Sequence, residues 1–568
     1  MSLGDASLAC AWALVDELAG SGMRHACVSP GSRSTPLALA LARHPGVEVH
    51  VHLDERSSAF FALGIAKATL RPVAVACTSG TAAAELFPAV VEASQSRMPL
   101  VLLTADRPPR LRGTGANQTI DQVELYGRYV RAYEEPPLPA GADEVHEWRA
   151  AGSRALDEML PVPGPLHVNC PFDEPLTPSG EDAVLFQTRA PRQPGARHAS
   201  APTTEEIDHL GRVVSGARGV ALFGGWPTVD DGPARLWSQV LGWPVIAEPQ
   251  SSARRPGISL AAGQALLGSP WLDAHRPDVV VQFGAAPTSR ASQALVTAAP
   301  ELVVVDRFHL EPDPESRAAL RLYLDPGEVT FGDRRRAPDD WTEAWRRADG
   351  LAHAVVNTFV DGLDEPFEPR VARDLAAWIP EGGTLFVGNS SPIRDLDLAM
   401  RPRAGLRVMA NRGASGIDGL VSTALGIAAA GPGPTFALLG DLSMLHDIGA
   451  LAWNAHRAVD LTIVVVNNRG GELFAQLPQR QLAEHERLFL TPHGVDLGAV
   501  CAAVGVRHER VEHSDDFIPA LERARTNGGI AVVEATIDVE RQRRRRAELS
   551  SEIDAALTTG GMIDPAKG

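Results

Sequence analysis

Thr435-Phe436-Ala437-Leu438-Leu439-Gly440-Asp441-Leu442-Ser443 is an apolar run halted by a turn, and Leu461-Thr462-Ile463-Val464-Val465-Val466-Asn467-Asn468-Arg469-Gly470-Gly471 repeats the design further along the chain. Runs this short, apolar throughout and stopped by polar and glycine residues read as strands of a parallel sheet covered on both faces. Working outward, similar runs at 384–388, 406–410 and 530–536 give the same sheet more strands. Upstream, 25–29, 48–52, 72–77 and 99–104 alternate with helical patterns such as 55–69, and 218–223, 279–283 and 302–306 form a third set. A turn-rich stretch from Gln187 to Thr204 and a charged, proline-containing region near 326–340 separate the sets. The expected fold is α/β, with three doubly wound parallel-sheet domains at 1–186, 205–340 and 355–568, in keeping with a length of 568 residues that exceeds what one core can serve.

Composition narrows the function. The net charge of −17, without a lysine-rich stretch, argues against a nucleic-acid or anionic-membrane surface. Lys67 and Lys567 are the only lysines, so Schiff-base chemistry has almost no candidate and positive charge rests on arginine, which grips carboxylates through two parallel bonds. The five cysteines are scattered, with no CxxC pair or His spacing of a zinc site. Asp5, Asp16 and Glu17 interrupt the N-terminal apolar stretch, and no run approaches the roughly 20 residues that span a bilayer. A cytoplasmic protein with no membrane insertion is expected.

In open parallel sheets, ligands lie beyond the carboxyl ends of the strands. The two quoted runs end there in hard oxygen donors. Asp441, Asn468 and the Gly470 carbonyl suit Mg²⁺, which takes one or two protein oxygens besides phosphate and water. Gly440 and Gly470 would let backbone approach, and amides near Ser443, ahead of a helical stretch from about His446, could hold a diphosphate. A glycine-acidic start closed by a double asparagine resembles the signature of thiamine-diphosphate enzymes, although Leu442 stands where that signature usually has a glycine.

Such enzymes need a carboxylate against the cofactor's aminopyrimidine. Glu55 follows the run Val49 to Leu53 and begins a helical pattern, where burial would raise its pKa. The next strand ends in Cys77-Thr78-Ser79-Gly80-Thr81 and opens a helix, AAAELFPAVVEAS, like that of the pyrimidine-binding domain in the same superfamily. The resemblance implies that glutamate and diphosphate clamp come from different subunits, hence at least a homodimer, with a homotetramer left open.

Four polar patches follow strand candidates: Ser29 to Pro36, Thr104 to Gln118, Gly388 to Arg394 and Asn411 to Gly419. They place Arg33, Arg107, Arg394 and Arg412 where polycarboxylate substrates would lie. PGSRSTPLALA, DERSSAFFALG, GTGANQT, NRGASGIDG and the closing HVNCPFDEPL resemble the 2-succinyl-5-enolpyruvyl-6-hydroxy-3-cyclohexene-1-carboxylate synthases of menaquinone biosynthesis. That family joins 2-oxoglutarate to isochorismate with loss of CO₂, using thiamine diphosphate and Mg²⁺, for which Mn²⁺ can substitute.

The resemblance implies roles residue by residue. Glu55 is catalytic; Thr78, Ile417, Gly440, Asp441, Leu442, Ser443, Asn468 and Gly470 face the cofactor, with Ile417 supporting its bent form. Ser390 and Arg394 hold the succinyl carboxylate, near Arg412. Ser32, Arg33, Arg107, Asn117 and Gln118 hold isochorismate, and Leu473, Phe474, Leu477, Leu488 and Phe489 form an apolar wall. Some relatives place a lysine and an arginine on an isochorismate carboxylate where this chain has Ser289-Arg290, leaving only Arg290. The signature alone would also suit a 2-oxo acid decarboxylase or an acetohydroxyacid synthase, against which GANQT and NRGASGIDG argue. A nucleotide-binding Rossmann protein would need a GxGxxG turn that Ser29-Pro30-Gly31-Ser32-Arg33 does not supply.

Overall fold

A computed structural model describes residues 2–159, 162–180, 188, 203–225, 232–307, 313–324, 335–454 and 458–560. Three sheets emerge, and every strand pairing is parallel. The first holds β1 (His25–Val28), β2 (Glu48–Val51), β3 (Val73–Cys77), β4 (Leu100–Asp106), β5 (Tyr133–Glu134) and β6 (Leu166–Pro171), in the order β2-β1-β3-β4-β6-β5. The second holds β7 (Gly219–Phe223), β8 (Val245–Ala247), β9 (Val279–Phe283), β10 (Glu301–Val305) and β11 (Leu320–Leu322), ordered β11-β10-β9-β7-β8. The third holds β12 (Gly383–Val387), β13 (Leu406–Ala410), β14 (Thr435–Gly440), β15 (Leu461–Asn467), β16 (Arg507–Val511) and β17 (Ile530–Thr536), ordered β13-β12-β14-β15-β17-β16.

Each expected strand is present. Five were not legible from apolar runs: β5, β6, β8, β11 and β16. In β6 the pattern is broken by His167 and Asn169, both fully buried and both bonded to Thr104. β16 reads as polar because it is an edge strand, and His508 and Arg510 both bond the buried Glu534 of β17. Most of the expected linker 187–204 and part of 326–340 lie outside the described residues. The helix Asp339–Asp361 runs through position 355 and belongs to the core that also contains Trp237, Trp243 and Trp345, against which Leu549, Ile553 and Leu557 of the final helix Val539–Gly560 pack.

The chain divides into two compact units. The first comprises Met1–Arg197 with Asn411–Pro432 and Leu445–Val459; the second comprises His198–Ala410, Gly433–Met444 and Asp460–Gly568. Within the first, the helix Glu55–Thr69 packs on the helix Leu420–Ala430 backbone to backbone. A Cβ on Gly64 would stand 2.1 Å from the Thr423 carbonyl oxygen, and one on Gly426 would stand 2.0 Å from that of Phe61. Any side chain there would force the helices apart.

Candidate active site

In the second unit, β14 and β15 are neighbours, so their carboxyl ends bring Asp441 beside Asn468 and Gly470. Asp441 is buried, and desolvation pushes its pKa up. Its Oδ2 accepts bonds from the Gly470 amide at 3.0 Å and from His493 Nε2 at 3.1 Å, and its Oδ1 accepts the Leu442 amide. Asn468 donates through Nδ2 to Glu368 Oε1 at 2.8 Å, while its buried Oδ1 has no hydrogen-bond partner. A buried, unsatisfied acceptor costs about 1–3 kcal/mol, which a cation would relieve. A desolvated carboxylate and an unpartnered amide oxygen fit a hard divalent ion. Gly470 is required for space, since a Cβ would meet the Leu490 carbonyl oxygen at 2.3 Å; Gly440 has open space. The helix expected from about His446 instead spans Asp441–His446, so Leu442 and Ser443 lie in its first turn, directly at the strand end. His493 and Glu368 were missed because each lies far in sequence from the residue it orients.

The same unit carries the acyl-side candidates. Ser390 adopts φ 73 and ψ −128 at the start of the helix Ser391–Ala399, an unusual backbone for a residue with a Cβ and one that clusters at functional sites. Arg394 Nη1 donates to the Ser390 carbonyl at 2.6 Å. Its pKa is lowered by desolvation, an effect opposed by Asp395 and reinforced by Arg290. Ser289, where some relatives have a lysine, caps the helix Arg290–Ala298 and bonds Gln264 at 2.5 Å. An open cavity of ≈ 880 Å³ reaches Asn468 and Gly470 and is lined also by Arg469, Glu472, Arg480 and Arg543. The residues expected to form an apolar wall are not among its lining residues. Phe474 and Phe489 pack on each other, with ring centroids 5.7 Å apart, Leu473 and Leu477 lie half-buried beside them, and Leu488 is 55% exposed.

In the first unit, Glu55 opens its helix behind Asp54, whose side chain caps the Ser57 amide at 3.0 Å. Burial raises the Glu55 pKa, and the charges of Asp54 and Glu85 add to the shift. Glu85 closes a short helix, Thr81–Glu85, which Leu86 separates from Phe87–Gln95; the single expected helix is two, with Pro88 in the first turn of the second. Asp447, buried, accepts the Ser422 amide at 2.7 Å and stands 3.5 Å from Arg56, supplying a cap to Leu420–Ala430 that the preceding Gly419 lacks. Ile417, just ahead of that helix, is 36% exposed despite its apolar side chain. The loop carrying Arg412 is held by buried Glu92, which accepts the amides of Gly413 at 3.0 Å and Ala414 at 2.6 Å, and lies 3.6 Å from Lys67.

The remaining first-unit candidates surround the ends of β1, β3 and β4. Gly31 lies so close to Thr78 that a Cβ would stand 2.3 Å from the threonine's own. Ser32 is exposed and its carbonyl accepts the Thr35 hydroxyl. Arg33 is buried against the Phe172 carbonyl and Glu174, at 3.0 and 3.3 Å. Its pKa is lowered by desolvation and by the charge of Arg107, a shift that Glu174 and Asp173 oppose. Arg107 spends its fork on Ser79 Oγ and the Asn117 carbonyl, both at 2.8 Å. Among the described residues neither Arg107 nor Arg394 forms an ion pair with a carboxylate; their guanidinium groups bond Ser79, the Asn117 carbonyl and the Ser390 carbonyl. Gln118 takes φ 55, its carbonyl held by Ser79, while buried Gln122 accepts the Gly80 amide and donates to Asn169. The β1–β2 register also gathers His25, Glu48 and His50, donor groups that spacing along the chain did not reveal; here His25 and His50 share a hydrogen bond at 3.2 Å.

Comparison with known proteins bears on this arrangement. Residues 9–125 match the thiamine pyrophosphate enzyme N-terminal TPP binding domain, 191–387 the middle domain of thiamine pyrophosphate enzymes, and 396–535 the C-terminal TPP binding domain. The 2-succinyl-5-enolpyruvyl-6-hydroxy-3-cyclohexene-1-carboxylate synthase of Thermobifida fusca is 42% identical, covering 97% of this chain and 99% of the relative. The chain belongs to that synthase family. Synthases of the same name from Chloroflexus aurantiacus (40% identical, 92% of each chain) and Geobacillus kaustophilus (39% identical, 98% of this chain and all of the relative) are similar throughout. Membership in the synthase family accords with the expected fold and superfamily. Among the described residues no helix is long and apolar enough to cross a membrane.

Proposed function

We propose that the chain decarboxylates 2-oxoglutarate and adds the resulting succinyl unit to isochorismate, yielding 2-succinyl-5-enolpyruvyl-6-hydroxy-3-cyclohexene-1-carboxylate and CO₂ for menaquinone biosynthesis. The observation that carries this reading is the paired strand ends: buried Asp441 and the unpartnered Asn468 Oδ1, in a chain whose relatives bear that name. Asp441, Asn468 and the Gly470 carbonyl would hold Mg²⁺ or Mn²⁺ with the diphosphate, and Glu55, Thr78 and Ile417 the remainder of thiamine diphosphate. When bound, that cofactor supplies the carbon centre that accepts the electron pair released as CO₂ leaves. Protein residues then position and discriminate. Ser390 and Arg394 face the succinyl carboxylate, with Arg412 nearby; Ser32, Arg33, Arg107, Asn117, Gln118 and Arg290 face isochorismate. Arg33 and Arg107, close enough that the second disfavours charge on the first, suit a substrate with more than one carboxylate. We place the protein in the cytoplasm as at least a homodimer, with domains at 1–186, 205–340 and 355–568.

The test incubates protein, thiamine diphosphate and Mg²⁺ with both substrates and follows isochorismate loss and adduct mass. An adduct of the stated mass supports the reading. Release of CO₂ from 2-oxoglutarate without isochorismate loss would point instead to a simple decarboxylase, and no turnover of either would refute the assignment. In the same assay Arg394→Met should raise KM for 2-oxoglutarate by about tenfold, the loss of roughly one charged hydrogen bond, and leave KM for isochorismate nearly unchanged. Equal rises in both would remove the succinyl role.

A further inference from the structure

The run Arg541 to Arg546 reads from sequence as a solvated helix end, and Arg541, Arg543 and Arg544 are indeed exposed in the final helix. Arg546 differs. Its Nη2 lies 2.5 Å from Glu368 Oε2 and 2.6 Å from Asp395 Oδ1, between two buried carboxylates. One turn earlier, Gln542 Nε2 donates to the same Glu368 oxygen at 2.9 Å. The other Glu368 oxygen accepts Asn468 Nδ2 at 2.8 Å.

An amide side chain can present nitrogen or oxygen at either end, and only its partners decide which. A carboxylate can only accept, so Glu368 fixes Nδ2 toward itself and turns Oδ1 the other way, leaving it the unpartnered atom. A buried carboxylate persists only when it is paired, and Gln542 and Arg546 supply that pairing. Asp395 directly follows Arg394, so the same guanidinium also ties this network to the helix Ser391–Ala399.

We infer that Glu368 and Arg546 are positioning residues that set the orientation of Asn468 as a metal ligand, with the final helix as their anchor. The inference rests on the reading of Asn468 under the proposed function. Partners of this kind affect metal affinity by about 10–100-fold.

The test titrates Mg²⁺ into protein and thiamine diphosphate, following tryptophan fluorescence, with Mn²⁺ binding by electron paramagnetic resonance as a second readout. Glu368→Gln, which can offer Asn468 either end of an amide, should raise the half-saturating Mg²⁺ concentration about tenfold or more, and Arg546→Met should shift it in the same direction. The double variant should be little worse than the worse single variant, because both act on one bond. Arg545→Met is the control: its guanidinium pairs with Glu365 and Glu548, and Mg²⁺ affinity should not change. Mg²⁺ affinity within about twofold of wild type in a folded Glu368→Gln protein would overturn the inference, and that variant decides alone should Arg546→Met fail to fold. If the wild type shows no Mg²⁺-dependent cofactor binding, the reading of Asn468 as a ligand falls, and the positioning role with it.

Discussion

Glu55→Gln should lower kcat by about 100-fold or more, the usual worth of a positioned proton-transfer group, while Mg²⁺-dependent cofactor binding holds within a few fold. Glutamine keeps the size and a hydrogen bond but cannot hold a proton on its side-chain oxygen at the N1′ position of the aminopyrimidine. The environment is suited to that task, since burial first, then Asp54 and Glu85, raise the pKa and let the carboxyl hold its proton to a higher pH than an ordinary glutamate. Linkage gives a second, opposite outcome. A carboxyl whose folded pKa is raised binds more protons in the native state, so it subtracts stability as pH rises from the unfolded value through the folded one. Glu55→Gln removes that penalty, and the variant should melt at or above the wild-type temperature at neutral pH. Stability gained with turnover lost marks a functional site. A variant with kcat within about threefold of wild type would remove Glu55 from the chemistry.

Lys67→Met should destabilise the protein by about 3–5 kcal/mol, the cost of leaving one member of a buried ion pair unpaired. Lys67 and Glu92 are both buried, and desolvation lowers the Lys67 pKa. In a chain whose other lysine is Lys567, Lys67 sits where Glu92 also receives the Gly413 and Ala414 amides. Loss of the ammonium therefore leaves a buried carboxylate with two amides alone, and it loosens the loop bearing Arg412 and Ile417. The measurement is the urea midpoint, together with kcat. A Lys67→Met/Glu92→Gln double variant should recover much of the loss, because both charges are then gone. A midpoint unchanged in Lys67→Met would show that the pair contributes nothing.

The strand ends were readable because parallel-sheet strands are apolar throughout and stop abruptly, so Asp441, Asn468 and Gly470 stood out where an apolar run gave way to polar residues. Glu55 was readable for the same reason, as the acid at the start of a helix after a strand. The faces presented by Leu473, Phe474, Leu477, Leu488 and Phe489 were less legible, because they have no periodicity and most lie in short 3₁₀ and π segments. Nor did the chain announce its polar interior. His167 and Asn169 look like strand breakers until Thr104 and Gln122 are beside them.

By itself the sequence determined three α/β sheets, the strand ends at which chemistry would sit, the residue types offered there and the family to which the chain belongs, because all of these follow from patterns local along the chain. Only the tertiary structure decided which groups bond them: Glu368 and His493 to Asn468 and Asp441, Glu92 to the loop after β13 with Lys67 beside it, Asp447 at the head of the helix Leu420–Ala430, and the glycines that let two helices meet backbone to backbone. Those partners lie tens to hundreds of residues away, and a hydrogen bond or steric fit between them exists only once strand register and helix packing have closed the distance.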